Sequence, residues 1–262
     1  MSARAPGWAG QAGFGVRLSW GPAGIEALRD EVAVLVLVDV LRFGTALDVA
    51  TACGAAVRPV PWPFEPGAGG ADNAEGDDNA DGVEVADGTG PRRLSLSPGS
   101  LAGLGPGDQI VLPSANGSHC STLAAGARAV VVAACLRNAV AVARYAAGAA
   151  GPGAVGVVPC GERWPDGRLR PAVEDLIGAG AVVEALSAPA PARTCAPEAA
   201  AAMAAYRGCG DLTAALSESE SGRELREKGL SLDVAWAAAL NVSDAVPVLG
   251  ADGAYRFESV GA

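Results

Sequence analysis

Residues 32–54 read VAVLVLVDVLRFGTALDVATACG, and the fold is decided there. Val32 to Val38 form a continuous β-branched and aliphatic run, without the apolar–polar alternation of a half-exposed strand. A run of that length is a strand buried on both faces. After Asp39 the period changes. Ala46, Val49, Ala50 and Cys53 fall on one helical face, and Gly54 suits the position just past a helix end. A buried strand that passes directly into a helix is the repeating unit of a parallel sheet. The turn between them carries an acid and a base, Asp39 and Arg42, three residues apart.

The unit recurs along the chain. QIVLP (109–113) is followed by SANGSH and the helical CSTLAAGA, and RAVVVAAC (128–135) by LRN and AVAVARYAAGA. AVGVVP (154–159) leads into a long loop, CGERWPDGRLR, and then the helical PAVEDLIGAGAVVEALS. FGVRLSWG (14–21) reads as an edge strand, PAGIEALRD as a short helix, and AVRPVPW as a short strand closed by prolines. The expected fold is α/β, a mainly parallel sheet with helices on both faces, plus a helical C-terminal region. It is expected as one domain over residues 1–262, with a helical subdomain at 197–240. One or two strands in AVPVLGADGAYRFES close the chain.

Composition narrows the function. Half of the residues are hydrophobic and 18% are charged, which suits a globular core. The formal charge of −10 is unevenly placed. Eight acids and no base lie between Arg58 and Arg92; without them 21 acids face 19 bases. Residues 65–93 therefore read as an acidic, low-complexity surface loop. No basic cluster suggests nucleic acid, and no apolar run suggests a membrane span. The N-terminus lacks a signal-peptide pattern, so a cytoplasmic location is expected. The six cysteines form no C-x-x-C pair and there is a single histidine, His119, which argues against a zinc site and a histidine-based triad.

In an α/β sheet, ligands bind outside the carboxyl ends of the strands. There the sequence places Asp39, Arg42 and Thr45; Ser114, Asn116, Gly117, Ser118 and His119; Arg137 and Asn138; and Cys160, Gly161, Glu162 and Arg163. SANGSH offers hydroxyls, an amide and a glycine at a helix start, which suits a phosphate or another oxyanion. Arg42 or Arg137 adds an anion fork. An ionised Asp39 would repel that anion unless a cation mediates, which points to Mg²⁺ with Glu174 or Asp175 as a second carboxylate. Each feature also has a plain structural reading. Asp39 and Arg42 could pair with each other, Asn138 could cap a helix, and Glu174 and Asp175 suit a first helical turn.

Six segments, in order, resemble the 2-phosphosulfolactate phosphatase family of coenzyme M biosynthesis. VDVLRFGTALDVATACGA resembles its DVLRAT segment, LSLSPGSL its Asn-Ser-Pro element, and VLPSANGSHC its Thr-Asn-Gly-Thr loop. AACLRNAVAVA resembles its strand–Asn–helix segment, and residues 157–186 its Cys-Ala-Gly … Glu-Asp … Ala-Gly segment. Residues 217–249 resemble its C-terminal stretch. The resemblance implies Mg²⁺-dependent hydrolysis of a phosphate monoester on a small 2-hydroxy acid, 2-phospho-3-sulfolactate or a relative. It implies Asp39 and Glu174 as metal-binding and catalytic carboxylates. Arg42, Thr45, Ser114, Asn116, Gly117, Ser118, Asn138, Cys160 and Gly161 would contact the anionic substrate. A homo-oligomer is compatible with this reading. Three segments depart from the pattern: Leu96 stands for the Asn or the Asn is displaced, Ser114, Ala115 and Ser118 stand for the threonines, and DVLRFGT is one residue longer than DVLRAT before the threonine, with Phe43 inserted. The rival reading is a non-catalytic anion- or metabolite-binding protein that keeps the fold.

Overall fold

The computed structural model describes residues 7–61, 84–85, 94–188 and 193–258. Most of the acidic stretch 65–93 lies outside the described residues.

Among the described residues, nine strands form one mixed sheet. At its centre is β2 (Val34–Val38), parallel to β6 (Val130–Ala134) on one side and β7 (Val155–Pro159) on the other. All five β2 residues are buried. Val34, Val36 and Val38 join one hydrophobic cluster, Leu35 and Leu37 another, so helices cover both faces. This is why the run shows no alternation. Each such side chain contributes about 1.5–3 kcal/mol by leaving water. On one face lie α5 (Ala139–Ala150) and α6 (Val173–Ser187); on the other lie α1 (Gly21–Leu28), α2 (Phe43–Ala52) and α4 (Gly117–Ala124). β1 (Val16–Leu18) pairs with β7 at the sheet edge, as its sequence predicts.

The sheet differs from a uniformly parallel one in a way that matters for the site. β3 (Ala56–Pro61) and β5 (Gln109–Ser114) are parallel to each other. Between them and β6 stands the antiparallel pair β10 (Val246–Leu249) and β11 (Tyr255–Glu258). β10 is antiparallel to β6, and β11 to β3. Followed across the sheet, β3 and β5 therefore run opposite to β2, β6 and β7. The two joints rest on one register position each, Val248 with Val132 and Tyr255 with Val57. Such sparse pairing leaves the sheet able to bend there, and the end of β5 is nevertheless brought to the ends of β2 and β7. The last described strand, β4 (Glu84–Val85), pairs antiparallel with β5.

The expected loop after β7 is instead a small antiparallel hairpin, β8 (Glu162–Arg163) with β9 (Leu169–Arg170). Its tip, WPDG, is a turn sequence with Gly167 at φ +82°. The C-terminal region is helical as expected: α7 (Pro197–Gly208), α8 (Leu212–Glu218), α9 (Glu220–Glu227) and α10 (Ser231–Ala238). Asp211 and Ser219 cap α8 and α9 by accepting from Ala214 N and Gly222 N. Between α2 and this region sits the short α3 (Pro98–Leu101).

Candidate active site

The site is built where β2, β5 and β7 end. Asp39, one residue past β2, is buried; its carboxylate accepts from Phe43 N at 3.1 Å, its backbone carbonyl accepts from Gly44 N at 2.9 Å, and the amides of Gly44 and Gly117 also favour the charged carboxylate. Those amides belong to the starts of α2 and α4, where the first N–H groups have no partner inside the helix. They favour the ionised form, yet burial outweighs them. Together with the charge of Glu174, burial pushes the Asp39 carboxyl up to about 7.

Glu174 and Asp175 open α6, and both are buried. They do different things. Asp175 accepts from Val40 N and Gly161 N, each at 2.8 Å, and so ties the end of β2 to the end of β7. Its pKa is raised well above the ordinary carboxylate value by burial and by Asp39 and Glu174. Glu174 has a buried Oε1 with no hydrogen-bond partner. A buried carboxylate oxygen left unpaired is costly, and it is the kind of group a cation satisfies.

Glu162, on β8, is a strand-end acid outside the expected catalytic pair of Asp39 and Glu174. Asn116 Nδ2 donates to its Oε2 at 2.5 Å. Burial, Asp39 and Glu174 push its pKa up to about 8. The signal for it is an acid directly after the Cys-Gly turn of a strand end; nothing in the sequence shows that it would be half-buried within the influence of Asp39 and Glu174. Glu162 and Asn116 also line a cavity of about 210 Å³ with Pro22, Cys160, Arg163 and Leu169.

The other predicted residues divide. Gly117 is required by contact: a Cβ there would lie 2.3 Å from Phe43 Cδ1 and 2.6 Å from Asp39 Oδ2. Gly161, at φ +68°, delivers its amide to Asp175. Ser114 Oγ accepts from Asn116 N at 3.3 Å and shapes the β5–α4 turn. Cys160 lines the cavity beside Cys120, which holds its thiol well above the ordinary value. Three side chains bond to backbone instead of facing the cavity. Thr45 Oγ1 donates to Val40 O, Ser118 Oγ to Leu112 O, and Asn138 bridges Cys135 N and Ala245 O. Asn138 occupies the cap position of α5, but its side chain makes no cap bond.

The arginines are held by acids that the sequence did not single out. Arg42 Nη1 is 3.1 Å from Asp233 Oδ2, not paired with Asp39. Arg137 Nε is 2.8 Å from the buried Asp48, and its guanidinium lies over the Trp236 ring at 5.0 Å. His119 is half-buried near Arg163, and burial with that positive charge lowers its pKa.

Among the described residues no group of three His, Cys, Asp or Glu side chains is arranged to hold a metal ion by itself. A cation that takes one or two carboxylates and completes its shell with water and substrate still fits the donor set. Asp39, Glu162 and Glu174 are acidic oxygen donors: the Glu174 charge raises the pKa of Asp39 and of Glu162, Asp39 raises that of Glu162, and one Glu174 oxygen is orphaned.

The family model described as 2-phosphosulpholactate phosphatase matches residues 92–252. A protein of Deinococcus radiodurans named "Probable 2-phosphosulfolactate phosphatase" is 36% identical over 156 residues. That alignment covers 58% of this chain and 62% of the Deinococcus protein, so the chain spans less than two thirds of its relative. The family match begins after Asp39 and Arg42 but includes Asn116, Glu162, Glu174, Asp175 and Asp233.

Proposed function

The chain belongs to the 2-phosphosulfolactate phosphatase family, and from that membership and the site's geometry we propose that it hydrolyses the phosphate ester of a small 2-hydroxy acid in a Mg²⁺-dependent reaction. 2-Phospho-3-sulfolactate or a close relative is the substrate. The observation that carries the reading is the meeting of Asp39, Glu174 and Glu162 beside the helix amides of Phe43 and Gly117.

Asp39 and Glu174 would hold the ion. An ion held there would supply positive charge to offset the phosphoryl oxygens. The chain's own residues do the rest. Asp175 fixes the separation of β2 and β7 through two backbone amides. Asn116 orients Glu162 at the cavity wall. Arg42 stands three residues from Asp39 on the same turn and takes an anionic group of the substrate. A buried carboxylate takes a proton from the water that attacks phosphorus, the P–O ester bond breaks, and that proton passes to the departing ester oxygen, leaving the 2-hydroxy acid and phosphate. Direct attack by Asp39 is the alternative; single turnover in ¹⁸O-water, reading label in the enzyme carboxylate or in phosphate alone, separates the two.

The substrate is a small polyanion. All six cysteines are free thiols, which suits a reducing cytoplasm. No helix among the described residues is long and apolar enough to cross a membrane. The test is phosphate release from 2-phospho-3-sulfolactate and 2-phospholactate, with Mg²⁺ and with EDTA. Release that requires Mg²⁺ supports the proposal. No release above background from either ester refutes the activity, and equal release in EDTA refutes the metal.

A further inference from the structure

Asp233 connects parts of the molecule that are far apart in sequence. It sits on α10 and is 4% exposed. Its Oδ2 accepts from Arg42 Nη1 at 3.1 Å and from Ser97 Oγ at 2.8 Å. Arg42 belongs to the β2–α2 turn that carries Asp39. Ser97 immediately precedes α3, in the LSLSPGSL segment. One turn further along α10, Trp236 packs on Gly99, where an added Cβ would come within 3.4 Å of Nε1. The same residue takes Arg137 on its ring face and on its carbonyl oxygen. At the other end of this helical region, Glu220 of α9 pairs with Arg170 of the β8–β9 hairpin that bears Glu162. The C-terminal helices thus grip the Arg42 turn on one side of the site and the Glu162 hairpin on the other.

We propose that Asp233 is a positioning residue for the anion site: it sets the Arg42 guanidinium and the Ser97 loop in one geometry, so that α10 determines how tightly the substrate's anionic group is held. The proposal rests on the reading of Arg42 as an anion contact. An arginine is a long side chain with many rotamers, and a carboxylate that holds one of its nitrogens removes most of that freedom before substrate arrives. The second bond, from Ser97, fixes the carboxylate itself. A buried Asp placed only to stabilise the helix packing would not need to hold an arginine of the turn that carries Asp39.

The test compares wild type with Asp233→Asn, Ser97→Ala, Arg42→Gln and the double variant Arg42→Gln/Asp233→Asn. Two readouts are taken: steady-state hydrolysis of 2-phospho-3-sulfolactate, and the dissociation constant of inorganic phosphate by calorimetry in Mg²⁺. Asp233→Asn is expected to raise KM and the phosphate Kd about tenfold, with kcat within about threefold of wild type. Ser97→Ala is expected to move both in the same direction by a smaller factor. The double variant is expected to bind phosphate no more weakly than Arg42→Gln alone, because the two residues act as one unit. Melting temperatures are recorded for each, and variants are compared at a temperature where all are folded. An unchanged KM and phosphate Kd in folded Asp233→Asn overturns the proposal. So do effects that simply add in the double variant, or a fall in kcat with KM untouched. Should Asp233→Asn fail to fold, Ser97→Ala decides by the same criteria. If wild type hydrolyses no 2-phospho acid, the phosphatase reading fails by itself, and the phosphate Kd series still decides the role of Asp233.

Discussion

Gly117→Ala adds one methyl group at the point where three elements of the site touch. The new Cβ would lie 2.3 Å from Phe43 Cδ1, 2.7 Å from Phe43 Cγ and 2.6 Å from Asp39 Oδ2. Carbon atoms in contact prefer about 3.5–4.0 Å, so more than about 1 Å of movement is needed. Phe43 is 2% exposed and has no empty space to enter. Asp39 is held by Phe43 N at its carboxylate and by Gly44 N at its backbone carbonyl. The start of α4 is therefore the part that moves, and it withdraws the Gly117 amide from Asp39. Overpacking of this kind costs about 1–3 kcal/mol of stability, and misplacing a reacting group by about 1 Å costs about 10²-fold in rate. The assay is kcat/KM for phosphate release from a 2-phospho acid, with thermal melting alongside. Gly148→Ala on α5 is the control. No heavy atom lies within 4 Å of its added Cβ, so it should keep activity and gain about 0.5–1 kcal/mol. A Gly117→Ala protein with wild-type melting and kcat/KM within about threefold would refute the assignment of this contact to the site.

Glu174→Gln should abolish the Mg²⁺-induced rise in melting temperature and lower kcat by about 10² or more. In EDTA the same variant should melt at or above wild type, because a buried charge with an orphan oxygen is removed; lower melting in EDTA would contradict this. The pH dependence of the metal-free protein has a definite sign between about pH 6.5 and 8. The carboxyls of Asp39, up to about 7, and Glu162, up to about 8, still bind protons in the folded chain there. The unfolded chain has already released them, so stability must fall as pH rises through the folded values. The slope should be negative in EDTA and weaker in Glu162→Gln, and a flat or rising melting temperature would contradict the raised pKa values of these groups. His119 has the opposite sign, since its lowered pKa costs stability only as pH falls below the unfolded value. Asn138→Ala, which leaves Cys135 N and Ala245 O without partners, should cost about 1–3 kcal/mol by denaturant unfolding. KM should stay unchanged, and a tenfold rise would return Asn138 to the substrate contacts.

What the sequence made legible follows from which interactions are local. The apolar run of β2, the helical face after it and the Gly54 stop, at φ +89°, depend on neighbours a few residues away, and all are present. The reversal of β3 and β5 depends on β10 and β11 entering between β6 and β3, a pairing of segments about 115 to 200 residues apart. No periodicity encodes that. The site divides in the same way. Asp39 and Asn116 could be read because they stand at strand ends. Thr45, Ser118 and Asn138 stand there too, but each satisfies a buried backbone group, and composition does not distinguish that use from ligand binding. Asp233 was hidden because its two partners come from segments 191 and 136 residues away.

The pair Phe43–Gly44 sharpens the point. By comparison with the DVLRAT pattern it lengthens the turn after Asp39, which on sequence grounds weakens the resemblance. In the folded chain both residues serve Asp39. Gly44 passes so close to the Asp39 carbonyl that an added Cβ would be 2.2 Å from that oxygen, and the backbone bond from its amide to the same carbonyl is 2.9 Å. Phe43 gives its amide to the Asp39 carboxylate, and its buried ring forms the wall against which Gly117 rests. The bulky ring beside a residue without a side chain sets how far α4 can approach β2, and hence where the Gly117 amide meets the carboxylate. An acid at the end of the most apolar strand is therefore held by a turn whose extra length supplies donors and a spacer. Its remaining cost, burial beside Glu174, is what a cation would offset.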